Sequence, residues 1–100
     1  MRTEYGQLEG DLDVSDHFAL YGLCAGDITV HDGGALHLYG MCAGNVEVKP
    51  GGCARVYGLC TGDVVNNGGE VEVRGMVIGD MKKNGGSTVV QPGAKVRMAE

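Results

Sequence analysis

The sequence predicts an all-β fold, a single-domain short β-solenoid in which coils made of short strands stack on one another. Three observations predict it. The chain has 100 residues, too few to form two independent hydrophobic cores. Nineteen residues are glycine and two are proline, and each interior glycine disfavours a helix by about 1 kcal/mol. A short motif also recurs along nearly the whole chain, which is typical of a solenoid.

The recurring motif is Tyr-Gly-Leu-Cys-Ala-Gly-Asp or a close variant of it. Copies begin at equal intervals at Tyr21, Tyr39 and Tyr57. A further copy begins at Arg74, after a slightly shorter interval, and a degenerate one begins at Tyr5. The spacing therefore predicts about five coils of roughly 16 to 18 residues within one domain, 1–100. The predicted coils are 5–20, 21–38, 39–56, 57–73 and 74–96.

Within a coil, apolar or small residues alternate with polar or larger ones. Every second residue from Leu36 to Val48 is Leu, Gly, Cys or Val, and this period of two predicts strands with one face buried. Gly-Gly pairs at 33–34, 51–52, 68–69 and 85–86 separate the strands and are predicted to supply corners with positive φ. The single glycines at 22, 40, 58, 75 and at 26, 44, 62, 79 are predicted to keep the interior narrow.

The pattern G-x-x-x-G-x-V-x-V, followed by Gly-Gly and alternating apolar residues, resembles the core of bactofilins, a bacterial family of polymer-forming cytoskeletal proteins. The resemblance covers residues 5 to about 96. It implies a triangular, right-handed β-helix that self-assembles. Cysteine and tyrosine stand in this chain where the family has simpler aliphatic residues. A left-handed hexapeptide helix, which commonly hosts acyltransferases, fits poorly because its apolar residues recur every six positions.

Stacking of coils turns each repeat position into a column of equivalent residues. One inward column is predicted to comprise Leu8, Cys24, Cys42, Cys60 and Val77, in which the thiols act as small core side chains. Disulfides and a metal site are not expected there, because three cysteines in a row cannot all pair and no inward histidine completes a ligand set. Cys53 aligns with Ala35, Glu70 and Ser87 near a corner, and is predicted to be the more reactive thiol.

Three outward columns are predicted to form an exposed apolar surface, and such surfaces on monomers commonly bind other proteins. The first column is Tyr5, Tyr21, Tyr39 and Tyr57, continued by Arg74; beside it run Leu23, Met41, Leu59 and Met76, and then Ala25, Ala43, Thr61 and Ile78. The alternative is that stacked tyrosine rings only stabilise adjacent coils. The residues predicted for the interface are Tyr21, Leu23, Tyr39, Met41, Tyr57, Leu59 and Met76, with Asp27 and Asp63 beside them.

Those two aspartates belong to a fourth outward column, which we call the acidic ladder: Asp11, Asp27, Asn45, Asp63 and Asp80. The first interpretation is structural, with the side chains accepting hydrogen bonds from nearby turn amides. The functional alternative is an electronegative ridge that attracts a basic partner. A calcium site is not expected, because the Gly-Gly-x-Gly-x-Asp nonapeptide pattern is absent from the sequence.

Charge and composition narrow the function. The net charge of −5 disfavours nucleic-acid binding, which requires an excess of Lys and Arg. No apolar run approaches the length of a membrane-spanning helix, and the N-terminus lacks the apolar stretch of a secretory signal, so we expect a cytoplasmic protein. The histidines, His17, His31 and His37, are not expected to converge with a nucleophile or carboxylate, so neither catalysis nor a cofactor is expected.

The sequence therefore predicts a non-enzymatic protein-binding solenoid. One specific hypothesis is a bacterial immunity protein that neutralises a basic toxin domain through the apolar surface and the acidic ladder. The alternative is a bactofilin-like structural protein that binds copies of itself.

Overall fold

A computed structural model describes the backbone of residues 2–98 and the side chains of residues 3–94. These residues contain strands and connecting turns and no helix. The fourteen strands of the described backbone are β1 (Arg2–Glu4), β2 (Gln7–Leu8), β3 (Leu12–Val14), β4 (His17–Leu20), β5 (Leu23–Cys24), β6 (Ile28–Val30), β7 (Ala35–Leu38), β8 (Met41–Cys42), β9 (Val46–Val48), β10 (Cys53–Val56), β11 (Leu59–Cys60), β12 (Val64–Val73), β13 (Met76–Val90) and β14 (Lys95–Met98).

The strands form three parallel stacks, and each coil contributes a strand segment to each of them. The long strand β12 belongs to two stacks and β13 to all three. Face 1 contains β1, β4, β7, β10 and the second half of β12. Face 2 contains β2, β5, β8, β11 and the start of β13. Face 3 contains β3, β6, β9 and the start of β12. The β-solenoid of about five coils is thus confirmed, and β1 extends the first coil to the N-terminal side of the predicted start at residue 5.

The core is a set of apolar columns inside the solenoid. Leu20, Leu38 and Val56 are fully buried and stack in register on face 1. Ile28, Val46 and Val64 do the same on face 3. Their side chains cannot be buried by one coil alone, so stacking of neighbouring coils is what removes them from water and stabilises the fold.

The cysteine column on face 2 is confirmed. Leu8 pairs with Cys24, Cys24 with Cys42, Cys42 with Cys60, and Cys60 with Val77. The three thiols are fully buried and unbridged. Each sulfur lies near glycine carbonyls, as where the Cys42 Sγ lies 3.4 Å from the Gly44 oxygen. Burial raises the pKa of Cys24, and the hydrogen bond with Cys60 together with burial raises that of Cys42.

The Gly-Gly pairs form corners as predicted, with one glycine of each pair in the left-handed region. The φ angles are 82° at Gly33, 86° at Gly51, 138° at Gly68 and 70° at Gly86. A side chain at these positions would strain the backbone.

The single glycines serve a different purpose from the predicted one. A Cβ added at Gly58 would overlap the carbonyl oxygen of Gly40 in the preceding coil, and one at Gly40 would overlap that of Gly22. The contact is along the solenoid axis rather than into the interior. These glycines therefore allow consecutive coils to approach each other at the bends on either side of face 2.

Asn66 is a buried polar residue in a column that contains Val14, Val30 and Val48 in the preceding coils. It pairs with Val48 and is 0% exposed. Its Oδ1 accepts hydrogen bonds from the amides of Gly68 and Gly69, and its Nδ2 donates to the Ser87 carbonyl at 2.8 Å. The side chain therefore satisfies the backbone of a corner in a coil that is shorter than the two coils before it.

Candidate protein interface

The tyrosine column stacks as predicted, at the bend between faces 1 and 2. Ring centroids of successive tyrosines lie 4.9, 4.7 and 4.8 Å apart, and the interplanar angles are 13°, 8° and 6°. The column ends with Arg74, whose guanidinium carbon lies 5.7 Å from the Tyr57 ring centroid. The rings thus stabilise neighbouring coils and also remain on the surface, because Tyr21 and Tyr39 are 45% and 43% exposed.

The Leu/Met column beside the tyrosines is only partly exposed in its first three coils. The strands of face 2 have only two residues, as in Leu23–Cys24 and Met41–Cys42. Leu23, Met41 and Leu59 are half-buried, whereas Met76 is 39% and Ile78 51% exposed. The predicted interface residues are therefore brought together in one strip. The strip consists of the tyrosine, Leu/Met and Ala columns, and the acidic ladder runs along its edge. We call this strip the Tyr–Leu strip.

The acidic ladder is a hydrogen-bonded structure, which confirms its structural interpretation. Asp11 Oδ1 accepts the amide of Asp27 at 3.0 Å, and Asp27 Oδ1 accepts the amide of Asn45 at 2.8 Å. In the next coils, Asn45 Oδ1 accepts the amide of Asp63 and Asp63 Oδ1 accepts the amide of Asp80, each at 2.8 Å. The donors lie one coil away, rather than in the same turn. One oxygen of each side chain is sufficient for this role, so the other oxygen of a carboxylate can face solvent.

The two aspartates predicted for the interface differ in their surroundings. Asp27 is exposed, and Asp63 is half-buried. The Lys82 ammonium lies 3.7 Å from Asp63 Oδ2. The electronegative part of the ladder is therefore towards its N-terminal end, at Asp11 and Asp27.

A polar cluster on face 1 was not found by sequence reasoning. Glu72 accepts hydrogen bonds from Arg74 Nε at 3.1 Å and from Gln91 Nε2 at 2.7 Å, and Arg55 Nε lies 3.5 Å from its other oxygen. Burial would raise the pKa of Glu72, but the hydrogen bonds from Arg74 and Gln91 outweigh it and lower that pKa. The available signal was the opposite charge of Arg55 and Glu72 at equivalent positions of adjacent coils.

Cys53 aligns with Ala35 and Glu70 as predicted, and it lines a shallow depression of about 400 Å³ together with Arg55, Glu72 and Val89. The side chain is half-buried. Burial raises the pKa of its thiol, which disfavours the nucleophilic thiolate. This environment does not support the predicted reactivity of Cys53.

The histidines are placed differently from the prediction in one respect. His31 Nε2 lies 3.1 Å from Asp13 Oδ1, so a carboxylate is adjacent to an imidazole after all. The pair lies at the surface of face 3, whereas His17 and His37 lie on face 1. His37 is half-buried, and its Nδ1 is buried without a hydrogen-bond partner in the described part of the chain.

Among the described side chains, no group of three or more His, Cys, Asp or Glu residues is arranged to hold a metal ion. The part of the chain that is described also contains no helix long and apolar enough to cross a membrane. The surface that remains as a candidate site is the Tyr–Leu strip with the acidic ladder beside it. No protein-family model, curated protein or solved structure matches the chain.

Proposed function

We propose that the protein is a non-catalytic binding module whose Tyr–Leu strip binds a basic protein. The observation that carries this proposal is the coincidence of exposed apolar side chains and carboxylates along one side of the solenoid. An immunity protein that occludes a basic toxin domain is a specific case of this function.

The apolar part of the strip supports an interface. Tyr21, Tyr39, Met76 and Ile78 are each between 39% and 51% exposed, although all four are large and apolar or aromatic. Tyrosine and methionine are enriched at protein interfaces and lysine and glutamate are depleted. Within coils 21–38, 39–56 and 57–73, the tyrosine, Leu/Met and Ala columns contain no lysine or glutamate.

The charge distribution supports a basic partner. Residues 1–50 contain eight acidic and two basic residues, and the chain as a whole has a net charge of −5. Asp11 and Asp27 are exposed at the edge of the strip. Such an arrangement accelerates encounter with a positively charged protein and orients it over the apolar residues.

The central test is Met41→Glu. Met41 lies in the middle of the strip between Leu23 and Leu59, so a carboxylate there would be desolvated on binding. We expect binding to weaken by a factor on the order of a thousand. The measurement is the retention of a basic partner, identified by mass spectrometry after capture and then titrated as a purified protein. Val65→Glu is the matched control, because Val65 is also half-buried and points outward, but on face 3.

The charge contribution is tested by Asp11→Asn combined with Asp27→Asn, because these two carboxylates are exposed at the edge of the strip. Asparagine preserves the amide-accepting oxygen, as Asn45 already does in the same ladder, so the fold is maintained while two charges are removed. We expect slower association and a weaker dependence on salt.

Unchanged partner binding by a folded Met41→Glu protein would contradict the proposed function.

A further inference from the structure

The tyrosine column is chemically different at its two ends. At the C-terminal end, the Arg74 guanidinium lies over Tyr57. At the N-terminal end, Tyr5 stacks on Tyr21 with a centroid distance of 4.9 Å, and Tyr5 is 74% exposed. Tyr21 and Tyr39, further along the column, are 45% and 43% exposed. The Tyr5 ring is therefore stacked on Tyr21 on one side and accessible to a ligand.

Arg74 shows what kind of group completes such a stack. Its guanidinium lies 5.7 Å from the Tyr57 centroid while its Nε and one terminal nitrogen contact Glu72 Oε2, both at 3.1 Å. The cation thus lies over the ring within the range of a cation–π interaction while it binds a carboxylate, a combination for which arginine is well suited.

The surroundings of Tyr5 favour a cation as well. Residues 2–16 contain five acidic residues and one basic residue, a net charge of −4. Glu4 precedes Tyr5 directly and is half-buried, and its carboxylate accepts the amide of Gly6 at 3.2 Å. Asp11 and Glu9 are exposed in the same coil.

We propose that Tyr5 is a docking position for an arginine side chain of a basic protein partner, whose guanidinium lies over the Tyr5 ring as that of Arg74 lies over Tyr57. Arginine is favoured over lysine because its planar guanidinium stacks on an aromatic face and is less strongly hydrated than an ammonium group. The identity of the partner rests on the proposed function, whereas the preference of Tyr5 for arginine can be tested without the partner.

The experiment uses tyrosine-ring ¹³C labelling and nuclear magnetic resonance, because the chain contains four tyrosines. The probes are two capped peptides of equal charge, Gly-Arg-Gly-Arg-Gly and Gly-Lys-Gly-Lys-Gly. We expect saturable shifts centred on the Tyr5 ring signals, with the arginine peptide binding about two- to fivefold more tightly than the lysine peptide. Tyr5→Leu should abolish this preference while the melting temperature of the protein changes little.

Arg74→Ala provides an internal positive control. Removal of the guanidinium uncovers the second face of Tyr57 beside Glu72, so the arginine peptide should now also shift the Tyr57 ring signals. Equal affinities of the two peptides, an unresponsive Tyr5 ring, or no new response at Tyr57 in this variant would overturn the proposal.

The failure of this inference is distinguishable from failure of the proposed function. If Met41→Glu abolishes partner binding and Tyr5→Leu leaves it unchanged, the Tyr–Leu strip is an interface and the arginine position is wrong. If Tyr5 selects the arginine peptide while Met41→Glu retains the partner, the arginine position is supported and the proposed function is contradicted.

Discussion

Cys42 and Cys53 show how position along a strand decides the role of a thiol. We expect Cys42→Ser to lower the free energy of unfolding by about 1 kcal/mol, because a desolvated hydroxyl replaces a thiol. The loss is small because the Gly44 carbonyl, which lies 3.4 Å from Cys42 Sγ, offers the hydroxyl an acceptor. Cys53 is half-buried, and Cys53→Ser should change the free energy of unfolding by less than about 0.5 kcal/mol. Urea denaturation measures both, and equal losses would contradict the inward assignment.

His37 predicts a pH dependence of stability. Burial, followed by the charges of Arg55 and His17, lowers its pKa below the ordinary value of 6.5. As the pH falls below that value, the unfolded chain binds a proton that the folded protein does not, so the His37 contribution to stability decreases until the pH reaches the folded pKa. His37→Phe retains a ring beside Tyr39 and should flatten the melting-temperature profile below about pH 7. Identical profiles for the two proteins would contradict this.

At the scale of the element, the bends between faces 1 and 2 depend on glycine for space rather than for φ. Gly58→Ala should lower the free energy of unfolding by about 3 kcal/mol, because its Cβ overlaps the backbone of the preceding coil. Gly10→Ala is the matched control. Gly10 has a φ of 87° but nothing within 4 Å of an added Cβ, so its cost should be about 1 to 2 kcal/mol. Thermal and urea unfolding compare the two, and a larger loss at Gly10 would refute this explanation.

The sequence was sufficient to predict the coils and their columns, because stacking requires the same type of residue at each repeat position. It did not reveal how short the strands β5, β8 and β11 of face 2 are. The alternation of small and large residues continues through Gly40 and Gly44, although the strand ends on either side of Met41–Cys42, so periodicity does not mark the bends. The cluster around Glu72 was also missed, because long side chains reach between coils in directions that no spacing encodes.

At the scale of the whole molecule, the N-terminal coil differs from those behind it. Glu4 occupies the position that Leu20 and Leu38 fill in the next two coils. Asn66 and Lys83 follow Val48 in a column on face 3, and Lys83 is exposed. Charged and polar residues at inward positions disfavour the stacking of another molecule on the end of a solenoid.

We therefore expect discrete particles at physiological salt rather than long filaments. Sedimentation velocity and electron microscopy of the purified protein measure this, and regular fibres would instead support the bactofilin-like alternative. The charged residues near the last strands, Lys82, Lys83, Lys95 and Arg97, favour the same outcome. Lys82 pairs with Asp63, whereas the side chains of Lys95 and Arg97 lie outside those that the structure describes.

The uniform spacing of the coils also determines how the chain can fold. Each strand pairs with positions 16 to 19 places away in the sequence, so every coil closes a loop of nearly the same size. The entropic cost of closure grows only with the logarithm of loop length and is therefore almost equal for every added coil. Once two neighbouring coils have formed, growth in either direction repeats the same step, and each step buries the apolar side chains that the previous coil left exposed.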